Sequence, residues 1–163
     1  MSYDGRAVAN RILDLCEAEG VAVTNLSLQK LVYFCHVWCL VQLGRPLVKH
    51  QFEAWQHGPV LQYLYREFKR FESGCINSRA KGLNPTSGQY EVVSSELDPS
   101  VDEVVQKVLT FYARLRPGTL VELSHVADGP WEKVWNHLGK SNPGMRIKDE
   151  SIVEYYRSAI SPF

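Results

Sequence analysis

The apolar positions of the chain fall mostly at helical spacing, and their punctuation predicts six to seven helices. Residues 4–19 carry Ala9, Ile12, Leu13 and Cys16 on one face, with Gly20 as a C-terminal stop. The next run opens on Ser27 as N-cap and repeats apolar residues at Leu28, Leu31, Val32, Cys35, Trp38, Cys39 and Leu43. Gly44-Arg45-Pro46 ends it. This helix is apolar around most of its girth, which places it at the centre of the core. Val48 to Gln56 reads as a short strand, with Phe52 and Ala54 on one face and Glu53 and Trp55 on the other. Gly58-Pro59 then predicts a third helix over 59–71, through Leu61, Leu64, Tyr65 and Phe68.

Residues 73–88 read as a loop, and 89–94 as a second strand that pairs with the first. Asp98-Pro99 is an N-cap followed by Pro at the first helical position, and a fourth helix follows through Val101, Val104, Val105, Val108, Leu109 and Tyr112. Thr119 with Glu122 matches a capping box and starts a fifth. Gly129-Pro130 opens a sixth, carrying Trp131, Val134, Trp135 and Leu138. Residues 141–147 read as a loop, and a last helix covers about 149–158 with Ile152, Val153, Tyr155 and Tyr156. The expected fold is mainly α, a compact bundle with a short two-stranded β element.

Composition narrows the class. A chain of 163 residues suits a single domain over 1–163. With 45% hydrophobic and 22% charged residues, it reads as globular rather than disordered. Lys+Arg and Asp+Glu are both 18, so a dedicated nucleic-acid coat or polybasic membrane binder is not expected. The charge is uneven, however. Residues 45–81 hold seven cations (Arg45, Lys49, Arg66, Lys69, Arg70, Arg79, Lys81) against three acids (Glu53, Glu67, Glu72). Residues 91–103 hold five acids and no base. The basic stretch reads either as a solvated mixed surface or as a face for an acidic protein or nucleic acid. The first residues lack a basic segment followed by an apolar one, and the apolar run Leu31–Val41 is short of the ~20 residues a bilayer needs. The expected compartment is the cytoplasm, with Cys16, Cys35, Cys39 and Cys75 as reduced thiols and no membrane contact.

Catalytic constellations are hard to assemble. Cys35, His36 and Cys39 lie within one helical turn, but a closed zinc site needs four ligands, so core packing is the expected role and no metal is assigned. Ser124, His125 and Asp128 list the members of a triad, yet adjacent helical positions point apart. A hydrolase built on His57 or His125 is therefore the least supported reading. Phosphate-binding glycine loops are absent, and no cofactor is expected. Trp55, Tyr63 and Tyr65 belong to residue types that fill cores and also anchor interfaces.

Three stretches carry a family resemblance. They are Leu28-Gln29-Lys30-Leu31-Val32-Tyr33-Phe34, then Gly44-Arg45-Pro46-Leu47 running into Glu53-Ala54-Trp55-Gln56-His57-Gly58-Pro59-Val60, then Gly129-Pro130-Trp131. Together they resemble the Panacea domain, the SocA-like antitoxin family of bacteria and phages. The resemblance implies a mainly helical domain without enzyme activity that neutralises a cognate toxin by direct protein binding. It also implies that a bacterial protease can be a further partner, with the domain as adaptor. Gly44, Pro46, Gly58 and Pro59 read as turn residues, whereas Lys30 and Tyr33 are polar groups beside a buried helix and invite a partner or a buried hydrogen bond. The candidate partner-binding residues are Lys30, Tyr33, Trp55, His57, Tyr63, Arg66 and Arg70. The alternative is a nucleic-acid-binding regulator using the basic face of residues 45–81.

Overall fold

Helix α2 (Asn25–Leu43) runs through the middle of the molecule, and the other elements are laid around it. The coordinates are a computed structural model, which describes residues 2–136 and 143–163. His137 and Leu138 lie outside the described residues. Fifteen residues of α2 are buried, from Asn25 to Leu40, so its sides are all covered. α2 is long and apolar enough to cross a membrane by length and composition, but here it is the core helix of a folded unit.

α1 (Gly5–Ala18), α3 (Gln62–Phe68), α4 (Pro99–Tyr112), α5 (Pro117–Ser124) and α7 (Asp149–Tyr156) all pack on α2. α6 (Pro130–Trp135) lies against α7 and the small sheet. The α2–α4 seam is aromatic: Phe34 stacks on Tyr112 at 4.4 Å, and Trp38 Nε1 donates to the Tyr112 hydroxyl at 3.2 Å. The mainly α expectation holds, with seven α-helices among the described residues.

Helix starts follow local chemistry, with two corrections. The N-cap of α2 lies three residues before the expected Ser27. Thr24 is the N-cap, its Oγ1 accepting from the Ser27 N–H at 3.2 Å while Ser27 Oγ accepts from the Thr24 N–H at 2.9 Å. Ser27 is thus the third helical residue of a reciprocal box. α5 begins at Pro117 rather than after Thr119, because Pro at the first helical position is already set in helical φ. Asp98 caps α4 as expected, its carboxylate accepting from the Val101 N–H at 3.1 Å.

The β structure differs more from expectation. Residues Phe52–Trp55 form β1, but its partners are β2 (Gly58–Val60) and β5 (Arg146–Ile147), in the order β2-β1-β5 and antiparallel throughout. Pro59 therefore sits in an edge strand, where its missing N–H costs nothing, and α3 starts at Gln62 instead of Pro59. The left-handed φ of +104° at Gly58 closes the turn that Gln56 and His57 span. Residues Tyr90–Val92 (β4) pair with β3 (Lys81–Leu83), inside the expected loop, and make a separate two-stranded sheet.

Candidate partner-binding site

The three sequence motifs meet at one corner. Lys30 of α2 is fully buried and its Nζ donates to the Pro59 carbonyl at 2.7 Å. One residue earlier, Gln29 Oε1 accepts from the Leu61 N–H at 3.2 Å. Asn25 completes the clamp, its Nδ2 donating to the Tyr65 carbonyl at 3.1 Å and its Oδ1 accepting from Gln29 Nε2 at 3.0 Å. The first turns of α2 thus hold the backbone of β2 and α3 at three points.

Gly58 leaves no room beside this clamp. A Cβ there would stand 2.6 Å from Lys30 Cε and 2.5 Å from Ser124 Oγ. The late Gly-Pro-Trp motif closes the other side. Trp131 Nε1 donates to the Trp55 carbonyl at 2.8 Å, and the His125 ring stacks on Trp131 at 3.6 Å. Trp135 stacks on the same indole at 5.5 Å.

Burial sets the electrostatics. It pushes the Lys30 amine down to about 7, with no carboxylate bonded to it. His125 is lowered as well, first by burial and then by Lys30 and His57, and its Nε2 is buried without a hydrogen-bond partner among the described residues. The Ser124 hydroxyl donates to the Val121 carbonyl of its own helix at 2.7 Å. With that hydroxyl committed and the His125 Nε2 unengaged, the corner holds no hydrogen-bonded nucleophile–base pair among the described residues. Its polar groups fix backbone geometry.

The candidate residues divide between frame and surface. Lys30 and Tyr33 are both buried, Tyr33 with its ring edge-on to Phe34 and Phe52, so neither reaches a partner from this conformation. Tyr63 is half-buried and works as a brace: its hydroxyl accepts from the Gly5 N–H at 2.8 Å, and burial pushes its pKa up to about 12. Trp55 is partly exposed, its Nε1 bonded to Glu53 and its ring edge-on to Tyr65 at 5.2 Å. His57, at the tip of the β1–β2 turn, is exposed. Arg66 and Arg70 are exposed on α3 and the 3-10 turn Lys69–Phe71 that continues it, Arg70 lying over the Phe71 ring.

The basic stretch is partly neutralised. Arg45 is held by Asp98 at 2.8 Å, and Arg79 by Asp14 and Glu17, so neither is a free cation. The Cys35–His36–Cys39 trio is core. Both thiols are buried, and burial pushes Cys39 up to about 12. His36 Nδ1 accepts from the Leu47 and Val48 N–H groups at 3.2 and 3.3 Å, and its Nε2 meets Asp149 at 2.8 Å. The ring is therefore the Nε2–H tautomer, a bracket between α2, the 47–48 segment and α7.

Sequence reasoning missed Asn10, Asn25 and Gln29. All three are buried polar residues on helices, and their partners are backbone groups of connectors and of α3 far along the chain. Their signal was an amide on an otherwise apolar helical face.

The motif residues of this small helical module fix its own frame, and its aromatic and basic side chains edge the corner. The family model described as antitoxin SocA-like, Panacea domain, matches residues 28–132, and the chain belongs to this family. The match begins on the Leu-Gln-Lys helix and ends just past Trp131. The chain is 40% identical over 157 residues to Antitoxin SocA of Caulobacter vibrioides (strain NA1000 / CB15N), covering 96% of this chain and 84% of that relative. The chain is a homologue of that antitoxin. No solved structure matches it.

Proposed function

We propose that this chain is an antitoxin, a binding protein that neutralises a cognate toxin by direct protein–protein contact in the cytoplasm. The observation that carries the reading is 40% identity to a named antitoxin across nearly the whole chain. The intact Lys30–Gly58–Trp131 frame supports it, since the motif residues still make their contacts. The contact surface is the α3 and Trp55 corner, where Trp55, His57, Arg66 and Arg70 reach solvent. A standard interface of about 1,600 Å² would suffice for tight association. The bound toxin is then held, or handed to a bacterial protease with this chain as adaptor. The nucleic-acid reading would have to rest on the other five cations of residues 45–81, since Arg45 and Arg79 are spent on ion pairs.

Co-expression with the product of the adjacent gene tests this. The expected result is growth arrest by the neighbour alone, rescue by this chain, and co-elution of the two. Rescue without co-elution would overturn direct binding. Toxin half-life in the presence of the chain separates holding from handing on.

A further inference from the structure

The β3–β4 hairpin presents an unpartnered apolar face. The register pairs Lys81 with Val92 and Leu83 with Tyr90, so these four side chains share one side. Leu83, Tyr90 and Val92 are 67%, 64% and 51% exposed. Large hydrophobics this open, grouped on one sheet face, mark an interaction surface.

The two outer edges of the hairpin are treated differently. Val93 N–H donates to the Ala80 carbonyl and Asn84 N–H to the Gln89 carbonyl, which makes 80/93, 82/91 and 84/89 the hydrogen-bonded pairs. The backbone groups of Lys81, Leu83, Tyr90 and Val92 therefore point away from the partner strand. On β3 this edge is capped at Lys81 alone, whose N–H donates to Glu67 Oε1 at 3.0 Å and whose carbonyl accepts from Arg6 at 3.1 Å, while the Leu83 groups have no partner among the described residues. On β4 the N–H and C=O groups of Tyr90 and Val92 have no partner among the described residues. Nor does β4, Tyr-Glu-Val, carry the Lys or Pro that blunts a sheet edge.

The surroundings are cationic. Arg66, Lys69, Arg70 and Lys81 are exposed and have no carboxylate in ion-pair reach among the described residues. Glu67, which accepts from the Lys81 N–H, Glu91, which accepts from Asn84 Nδ2, and Glu72 keep their charge there, so the cations outnumber the acids by four to three. The hairpin and the cations are joined at Glu67 and through Arg70, which donates to Ser78 at 2.7 Å.

We infer that the β4 edge is a docking strand for an extended segment of a protein partner, apolar at alternate positions and acidic overall. The segment would pair with Tyr90 and Val92 through its backbone and lay every second side chain on the Leu83–Tyr90–Val92 face. Its acidic groups would meet the four cations. The inference goes beyond the antitoxin reading, since it concerns the chemistry of the bound segment and holds whatever that partner does.

The test uses the full chain and a displayed library of random dodecapeptides, counter-selected on the Val92→Pro variant. Enriched peptides should alternate apolar residues and carry net negative charge. The best of them should slow amide exchange at Tyr90 and Val92. Its affinity should fall at least tenfold when its own strand-pairing amides are N-methylated, and again on Tyr90→Ser. Tyr90→Ser keeps the backbone intact, so it decides the matter if Val92→Pro unfolds the hairpin. No enrichment, basic ligands, or indifference to N-methylation would overturn the inference. Concentration-dependent protection of Tyr90 and Val92 in the unliganded chain would overturn it too, by assigning the edge to a second copy. None of these outcomes bears on toxin neutralisation, which is read separately by co-expression.

Discussion

Lys30 is the residue at which the physics of this chain is most exposed. A lysine without water or a carboxylate favours its neutral form, and here the amine is pushed from 10.5 down to about 7. In the unfolded chain it stays protonated to about 10.5. Between these values the unfolded state binds one more proton, so stability rises with pH. Below about 7 the penalty for burying charge is fully present. Above about 9 the buried thiols oppose the trend: Cys16 and Cys39, raised to about 11 and 12, ionise only on unfolding. The clean window is therefore about pH 7 to 9. There the wild-type chain should gain up to about 1.4 kcal/mol per pH unit in urea unfolding, while Lys30→Met stays flat. Equal slopes in both proteins would mean that the amine keeps its charge inside. Gly58 is the companion case. Gly58→Ala must adopt φ +104° and push against Lys30 and Ser124. Strain and overpacking together should cost about 2–5 kcal/mol, read as a lowered urea midpoint.

Elements were legible where their signal is local and illegible where it is not. α4 could be read from Asp98-Pro99 and its apolar stripe, since cap and stripe lie within one segment. The central place of α2 followed from its all-round apolarity, although its start did not, because a Thr–Ser box is a weaker pattern than Ser alone at the boundary. Strand pairing was misjudged because register depends on which strand lies near, and Gly58 brought β2 back onto β1 within two residues. The β3–β4 hairpin is short, and its attachment is encoded at Asn10, 70 residues from its partner. Asn10 Nδ2 donates to the Ala80 and Val93 carbonyls, and its Oδ1 accepts from the Ala80 N–H. Asn10→Ala should leave that buried N–H without an acceptor and cost about 1–3 kcal/mol. Amide exchange should then quicken across residues 80–93 while α2 stays protected. Uniform loss of protection would show that the hairpin and core unfold together.

At the scale of the whole molecule, the sequence motifs and the surface do different jobs. Lys30, Gly58 and Trp131 are signature positions, yet all lie inward: Lys30 and Trp131 each hold another segment, and Gly58 leaves the room that Lys30 and Ser124 fill. This explains why motif reading located the family and left Lys30 and Tyr33 open between a partner and a buried hydrogen bond: a polar residue looks the same in sequence whether it meets a partner or a backbone carbonyl, and Lys30 meets the Pro59 carbonyl. The proposed partner surface consists of side chains that the frame leaves outside, and among the candidates Arg66 and Arg70 are the exposed cations. Charges at the margin of an interface act chiefly on the encounter rate and on its salt dependence. Arg66→Glu with Arg70→Glu should therefore slow toxin association about tenfold or more at low salt, with the difference shrinking as the ~10 Å Debye length at 0.1 M contracts. The melting temperature should fall only modestly, since what Arg70→Glu removes is exposed: hydrogen bonds to the Glu67 carbonyl and Ser78 and the contact over the Phe71 ring. Lys30→Met should show the converse pattern, altered stability with an unchanged association rate for the folded fraction. If the double reversal left the association rate untouched at every salt concentration, the α3 face would be excluded as the toxin-facing surface.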